Sequence, residues 1–202
     1  MAFSPKNYLK NYFHRKKPFS IFTDVLFIVF IILLIIPGTR KEVSSWLIRL
    51  TSFPPSELSA DRQYMISEDT RSWQLYDRKG NVVMFDELLD KPVFLNFWAT
   101  WCPPCIGELP GIKELHKTYK DKVHFILVTN EQPGKVKEFA DKHNYNDLPF
   151  YFSRSAPFDF ASESIPATFV IGRDGKVVIS KKGAARWNSG KMERILDELL
   201  QE

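Results

Sequence analysis

From Val25 to Ile36 the chain carries no polar residue, and no other stretch is apolar for so long. Elsewhere the apolar positions fall into shorter runs whose spacing separates strand from helix. Val93 to Trp98 is nearly continuous apolar, the pattern of a strand covered on both faces, and it predicts a central strand; Val123 to Thr129 predicts a second. Trp73–Tyr76 and Val82–Phe85 flank Asp77-Arg78-Lys79-Gly80-Asn81, which predicts a hairpin whose glycine supplies positive φ, and a short acidic helix follows over Asp86–Leu89. Between Pro103 and Tyr119 the residues Ile106, Leu109, Ile112 and Leu115 recur at helical spacing, with a kink expected at Pro110. Gly134 to His143 predicts a helix and Phe150–Phe152 a short strand. Thr168–Ile171 and Lys176–Ser180 predict a second hairpin around Arg173-Asp174-Gly175, and a closing helix runs from about Ser189 to Leu200. The sum is an α/β fold, a mixed central β-sheet flanked by helices, with an N-terminal β-hairpin extension.

The long apolar run does not fit that pattern. A core helix would show a polar face, and this run has none. Twelve such residues favour bilayer insertion by about 5 kcal/mol, against at most about 3 kcal/mol for Asp24 at its edge. Pro37-Gly38-Thr39-Arg40 lacks the small-residue spacing of a cleavage site, which favours an uncleaved anchor over a signal peptide. Five Lys/Arg and no acid precede Pro18, so the N-terminus is expected in the cytoplasm and the large domain outside. The expected organisation is a basic cytoplasmic N-terminus (1–20), a transmembrane helix (21–37), a proline-containing tether (38–61) and the folded domain (62–202).

Charge then narrows the partners. The net charge of +4 is uneven: residues 1–59 hold eight Lys/Arg against three Asp/Glu, and the rest sums to −1. The outward domain offers no net cationic field to polyphosphate, so nucleic acid is not an expected partner. With 44% hydrophobic and 26% charged residues the composition is that of an ordered globular chain.

The chain has two cysteines, both in Ala99-Thr100-Trp101-Cys102-Pro103-Pro104-Cys105, between a buried strand and a helix. The first helical turn has unsatisfied N–H groups and the positive end of the dipole, which stabilise a thiolate at Cys102. Prolines are tolerated there because those positions lack intrahelical donors anyway. Cysteines at i and i+3 lie on one face and can close a small, readily opened disulfide. Cys102 is therefore assigned as attacking thiolate and Cys105 as resolving thiol. A zinc site would need ligands beyond these two, with only four histidines and no second Cys pair to supply them, and a structural disulfide across so short a loop would constrain little of the unfolded chain. No metal and no cofactor are expected.

Asn96-Phe97-Trp98-Ala99-Thr100-Trp101-Cys102-Pro103-Pro104-Cys105, with Ser164-Ile165-Pro166-Ala167-Thr168-Phe169-Val170-Ile171-Gly172-Arg173-Asp174-Gly175 downstream, resembles the thioredoxin-like proteins of the TlpA/ResA type over about residues 65–200. The resemblance implies a thioredoxin fold and a membrane-anchored thiol-disulfide oxidoreductase on the outer face of the bacterial inner membrane. It implies a reductase of protein disulfides, with apocytochrome c in cytochrome c maturation among the substrates and a membrane electron donor of the DsbD or CcdA kind. It further implies that Pro166 is a cis-proline facing the cysteines, that the backbone at Ile165 pairs with a substrate strand, and that Glu108 tunes the cysteines and accepts the proton of Cys105. Trp101 and Pro103 beside Cys102, with Ile165 and Pro166, are the expected substrate contacts. Against Glu108 stands its place in the second turn of a helix, where glutamate is commonly solvated surface. The chain departs from thioredoxins proper at Asn96, where they bury an aspartate, and Ala167 replaces a frequent threonine. Two readings from other classes stand beside this one: a tethered, non-catalytic binding module, and a thiol peroxidase of the redoxin group.

Overall fold

The computed structural model describes residues 18–35 and 52–201. Helix α1 (Pro18–Ile35) belongs to one compact unit, residues 1–43, and everything else described belongs to a second, residues 44–202. Side chains of α1 are described from Phe19 to Ile31, and from Val25 on they are apolar and exposed. Among the described residues no helix is long and apolar enough to cross a membrane. The basic N-terminus before Pro18 and residues 38–51 of the expected tether lie outside the described residues. From Phe53 on, the chain is tied to the second unit: Arg186 N–H donates to Phe53 O at 3.0 Å, and Leu58 N–H to Val178 O at 2.8 Å.

The second unit is built on an eight-stranded mixed sheet in the order β1-β8-β7-β4-β5-β6-β2-β3. Its strands are β1 (Tyr64–Met65), β2 (Gln74–Tyr76), β3 (Val82–Met84), β4 (Val93–Phe97), β5 (His124–Thr129), β6 (Phe150–Phe152), β7 (Ala167–Ile171) and β8 (Lys176–Lys182). β4 is central, parallel to β5 and antiparallel to β7. Its alternation explains the near-continuous apolar run: Phe94 and Asn96 face one layer, Val93 and Leu95 the other, and all four are buried. The first layer is filled by α3 (Pro103–Tyr119), α4 (Pro133–His143) and α5 (Gly190–Leu199). α3 continues through Pro110 to Tyr119, since a proline inside a helix removes one donor without obliging the helix to stop.

The second layer comes from the N-terminal extension. The hairpin β2–β3 forms as expected, with Gly80 at φ 85° and Asp77 accepting from the Lys79 and Asn81 N–H groups at 2.8 Å each, and it joins the sheet through Tyr76 opposite Phe152. The acidic helix is a 3-10 turn over Phe85–Leu88. Strand β1, which the apolar pattern does not announce, pairs with β8 at the opposite edge, so the extension crosses the whole sheet. Between them α2 (Glu68–Arg71) starts at Ser67 and places Thr70 against Asp159. Asp159 Oδ2 accepts from Ser67 N–H (2.6 Å), Ser67 Oγ (2.7 Å) and Thr70 Oγ1 (2.6 Å). Burial raises its pKa, but these hydrogen bonds outweigh that and hold the carboxyl below its ordinary value. Trp73 Nε1 donates to Ser155 O (3.0 Å) and Ser153 Oγ (3.1 Å). The extension thereby pins the loop between β6 and β7, which leads to Pro166.

Asp159→Ala should lower unfolding stability by about 1–2 kcal/mol, because charge-assisted hydrogen bonds are lost and the buried Thr70 hydroxyl loses its acceptor. A urea midpoint equal to that of the unsubstituted protein would show that this pin carries no energy.

Candidate redox site

β4 ends at Phe97, and Trp98 N–H still reaches Val128 O across the sheet (3.0 Å) before the chain turns into α3. Cys102 occupies the N-cap of α3, with Pro103 and Pro104 in the first turn. Its sulphur accepts from the Cys105 N–H at 3.2 Å, one of the donors a helix start leaves without an intrahelical partner. Cys102 and Cys105 form a disulfide with Cα atoms 5.3 Å apart. Cys105 is fully enclosed; Cys102 is 3% exposed and is the sulphur nearer the surface. The Ile165–Pro166 peptide bond is cis, and the Ile165 carbonyl oxygen lies 3.8 Å from Cys102 Sγ. In the disulfide that sulphur has no hydrogen to donate, so this is a contact; the reduced thiol could donate there.

The remaining predicted residues divide. Trp101 is 55% exposed beside the disulfide, and with Ile165 it lines a groove of about 320 Å³ that continues along Thr129 and Ser153–Ala156. Pro103 is half-buried at the start of α3, and it does not line that groove. Glu108 is not solvated surface. It points inward at 4% exposure, and its carboxylate accepts three hydrogen bonds: Asn96 Nδ2 to Oε1 (2.8 Å), Trp187 Nε1 to Oε2 (2.9 Å) and Ala185 N–H to Oε2 (3.2 Å). Burial pushes its pKa up to about 7, while the hydrogen bonds from Trp187, Asn96 and Ala185 and the charge of Lys181 pull the other way. The same Asn96 Nδ2 donates to Thr168 Oγ1 at 2.8 Å, and Gly183 N–H donates to Pro166 O at 2.8 Å. Cysteine helix, buried acid and cis-proline are thus joined through β4, β7 and the segment after β8.

Glu131 escaped the sequence reading. It follows β5, and its carboxylate accepts from Thr100 N–H (2.6 Å) and Thr100 Oγ1 (2.9 Å) and pairs with Lys135. Burial alone would raise its pKa, but these bonds hold it below the usual glutamate value, so an anion fastens the turn two residues before Cys102. Its only sequence signal was the i,i+4 spacing to Lys135, which surface pairs share. Trp187, another partner of the site, escaped it too. Among the described residues no cluster of three or more His, Cys, Asp or Glu side chains is placed to hold a metal ion.

Comparison with known proteins agrees with this geometry. Residues 61–200 match the Redoxin family model. The thiol-disulfide oxidoreductase ResA of Bacillus cereus (strain ZK / E33L) is 34% identical over 124 residues, covering 59% of this chain and 71% of that protein. The protein of the same name from Halalkalibacterium halodurans is 29% identical over 151 residues, 72% of this chain and 82% of its own. Among solved structures, MTB dsbF superposes with a TM-score of 0.57 at 23% identity, covering 66% of this chain and 99% of that one, a likeness of fold. With the match spanning most of the chain, and with the cysteine pair, cis-proline and buried glutamate in place, the chain belongs to the redoxin family, as a thioredoxin-like protein of the TlpA/ResA type.

Proposed function

We propose that this chain is a membrane-anchored reductant of protein disulfides, working on the outer face of a bacterial inner membrane. It is a thiol-disulfide oxidoreductase of the thioredoxin type. The observation that carries it is the Cys102–Cys105 pair at the N-terminus of α3, with the Ile165 carbonyl against the outer sulphur. Relatives named thiol-disulfide oxidoreductase share this chemistry, whereas nothing in the site favours a peroxidase or a non-catalytic binding module.

The reaction follows from the arrangement. In the reduced protein the Cys102 thiolate, favoured by the Cys105 N–H and the helix dipole, attacks a substrate disulfide. The substrate S–S bond breaks, a Cys102–substrate disulfide forms, and one substrate thiolate leaves. Cys105 then gives up its proton and attacks Cys102 Sγ, closing the disulfide seen here and releasing the second substrate thiolate. Two electrons pass from the dithiol to the substrate. Glu108, buried one helical turn beyond Cys105, is the proton acceptor in this scheme. Trp101, Ile165 and the groove beside them receive the substrate segment.

The anchor rests on the uninterrupted apolar run Val25–Ile36 and the Lys/Arg excess before it. An outward domain works among oxidants, so a reductase there needs a membrane electron donor of the DsbD or CcdA kind. Apocytochrome c is the substrate that the family's usual work suggests.

Cys102→Ser should abolish disulfide reduction, and Cys105→Ser should accumulate a covalent adduct with substrate, read as a shift on non-reducing gels. A reduction potential near or below about −250 mV by equilibration with dithiothreitol fits a reductase; one near about −120 mV overturns that direction, and consumption of peroxide would favour the peroxidase.

Glu108 also predicts a pH dependence. Its folded pKa of about 7 lies above the usual 4.5, so its contribution to stability is complete below about pH 4.5 and is lost as pH rises to about 7. That loss is on the order of 3 kcal/mol, and Glu108→Gln should remove it. Urea unfolding of the oxidised proteins between pH 4.5 and 8 measures this; parallel curves for the two would refute it.

A further inference from the structure

Among the described residues, the three groups that hydrogen-bond to the Glu108 carboxylate are donors: the Asn96 side-chain amide, the Ala185 N–H and the Trp187 indole N–H. That cage suits an anion. A protonated carboxyl must itself donate, and beside Oε2 it meets two N–H groups with no lone pair to offer. One buried acceptor adjoins the cage, however. Among the described residues Asn96 Oδ1 has no hydrogen-bond partner, although Asn96 is fully buried. An amide is nearly symmetric in shape, so half a turn about its last side-chain bond exchanges Nδ2 and Oδ1 with little change in volume. After that turn Oδ1 stands where Nδ2 stood, 2.8 Å from Glu108 Oε1 and 2.8 Å from Thr168 Oγ1. It can then accept from the carboxyl O–H and from the Thr168 hydroxyl, which accepts in one arrangement and donates in the other.

We propose that the Asn96 amide turns end for end as Glu108 gains or loses its proton, making Asn96 the positioning residue that lets this carboxyl both hold a proton and release it. The inference rests on Glu108 as the proton acceptor of the dithiol. When Cys105 loses its proton to Glu108, the O–H so formed lies on Oε1 and is received by Asn96 Oδ1; Oε2 keeps its bonds from Ala185 and Trp187. Loss of that proton returns the amide to the orientation seen here. Among the described residues the groups around the carboxyl are few. Lys181 of β8 is the charge that acts on it, Thr168 of β7 is neutral, and on its own helix Cys105 carries a proton only in the reduced protein. An ionised aspartate at position 96 could not play this part, since it has no hydrogen to donate to an ionised Glu108.

Glu108→Gln tests the rotation without any titration. Ala185 N–H and Trp187 Nε1–H both need an acceptor, so they should hold the carboxamide oxygen of the E108Q side chain in the Oε2 position. The NH₂ of that carboxamide then faces Asn96 and requires Oδ1 there. The experiment is NMR of the oxidised full chain in detergent micelles, with ¹⁵N-labelled Asn side chains and ¹³C-labelled Glu carboxyls, from pH 5 to 9. The Asn96 NH₂ resonances should move with the same midpoint as the Glu108 carboxyl carbon. Their NOEs to Thr168 should fade on the acid side, and E108Q should show the acid-side Asn96 spectrum at every pH. Asn96 resonances that stay fixed while Glu108 titrates, or an E108Q protein with the alkaline-side spectrum, would overturn the proposal. A Glu108 carbon that does not titrate would defeat its role as proton acceptor, and the E108Q spectrum would still decide the rotation.

Discussion

A single buried carboxylate holds the site together. Burying a charge is costly unless its lone pairs are met, and at Glu108 N–H groups from β4 and from the segment after β8 offset part of that cost. Those donors lie far apart in sequence, so their convergence fixes α3 against the sheet on one side and against residues 185–187 on the other. The segment after β8 also bonds to Pro166, through Gly183. Position of the cysteines and position of the cis-proline are therefore not independent: the 3.8 Å between Cys102 Sγ and the Ile165 carbonyl spans two parts of the chain that the same carboxylate ties together.

The other face of the sheet serves the same end more indirectly. The loop from Ser153 to Ile165 contains no strand of its own, and left alone it would set the Ile165 carbonyl loosely. Asp159, anchored by Ser67 and Thr70, and Ser155, anchored by Trp73, prevent this from the N-terminal extension. Phe160 is fully buried against Phe85 and Phe169, whereas Phe158 two residues earlier is 92% exposed. A large apolar side chain held outward by a fastened turn is a rigid contact, in contrast to one on a mobile loop.

Most strands and helices were legible because each wrote its own period: Val93–Phe97 by its continuous apolarity, α3 by Ile106 to Leu115. Cys102 and Cys105 were legible because their spacing and place carry the chemistry. β1 was not, since Tyr64-Met65 is two residues long and is a strand only because β8 lies beside it. Glu108 was ambiguous for the same reason: the helix period says which residues share a face, but the donors that make burial of an acid tolerable sit at Asn96, Ala185 and Trp187, none of which is near it in sequence. Glu131 was invisible, as its local pairing with Lys135 is what a solvated helix start shows, and its hold on Thr100 is tertiary.

Asn96 was legible as a departure, and the structure gives that departure a physical sense. A carboxylate at 96 would stand within hydrogen-bond distance of Glu108, and two acids that close titrate as a coupled pair with two separated steps. The amide leaves one proton-bearing group beside Cys105. It also stabilises the ionised form of that group without adding charge, which matters in a site where Lys181 is the compensating cation. Closing the disulfide releases protons as well as electrons, and a lone buried acid with a pKa of about 7 can take one of those protons near neutral pH and return it when the dithiol is restored. The exchange of electrons at the surface sulphur and the exchange of a proton in the core thus meet on one helix, one turn apart.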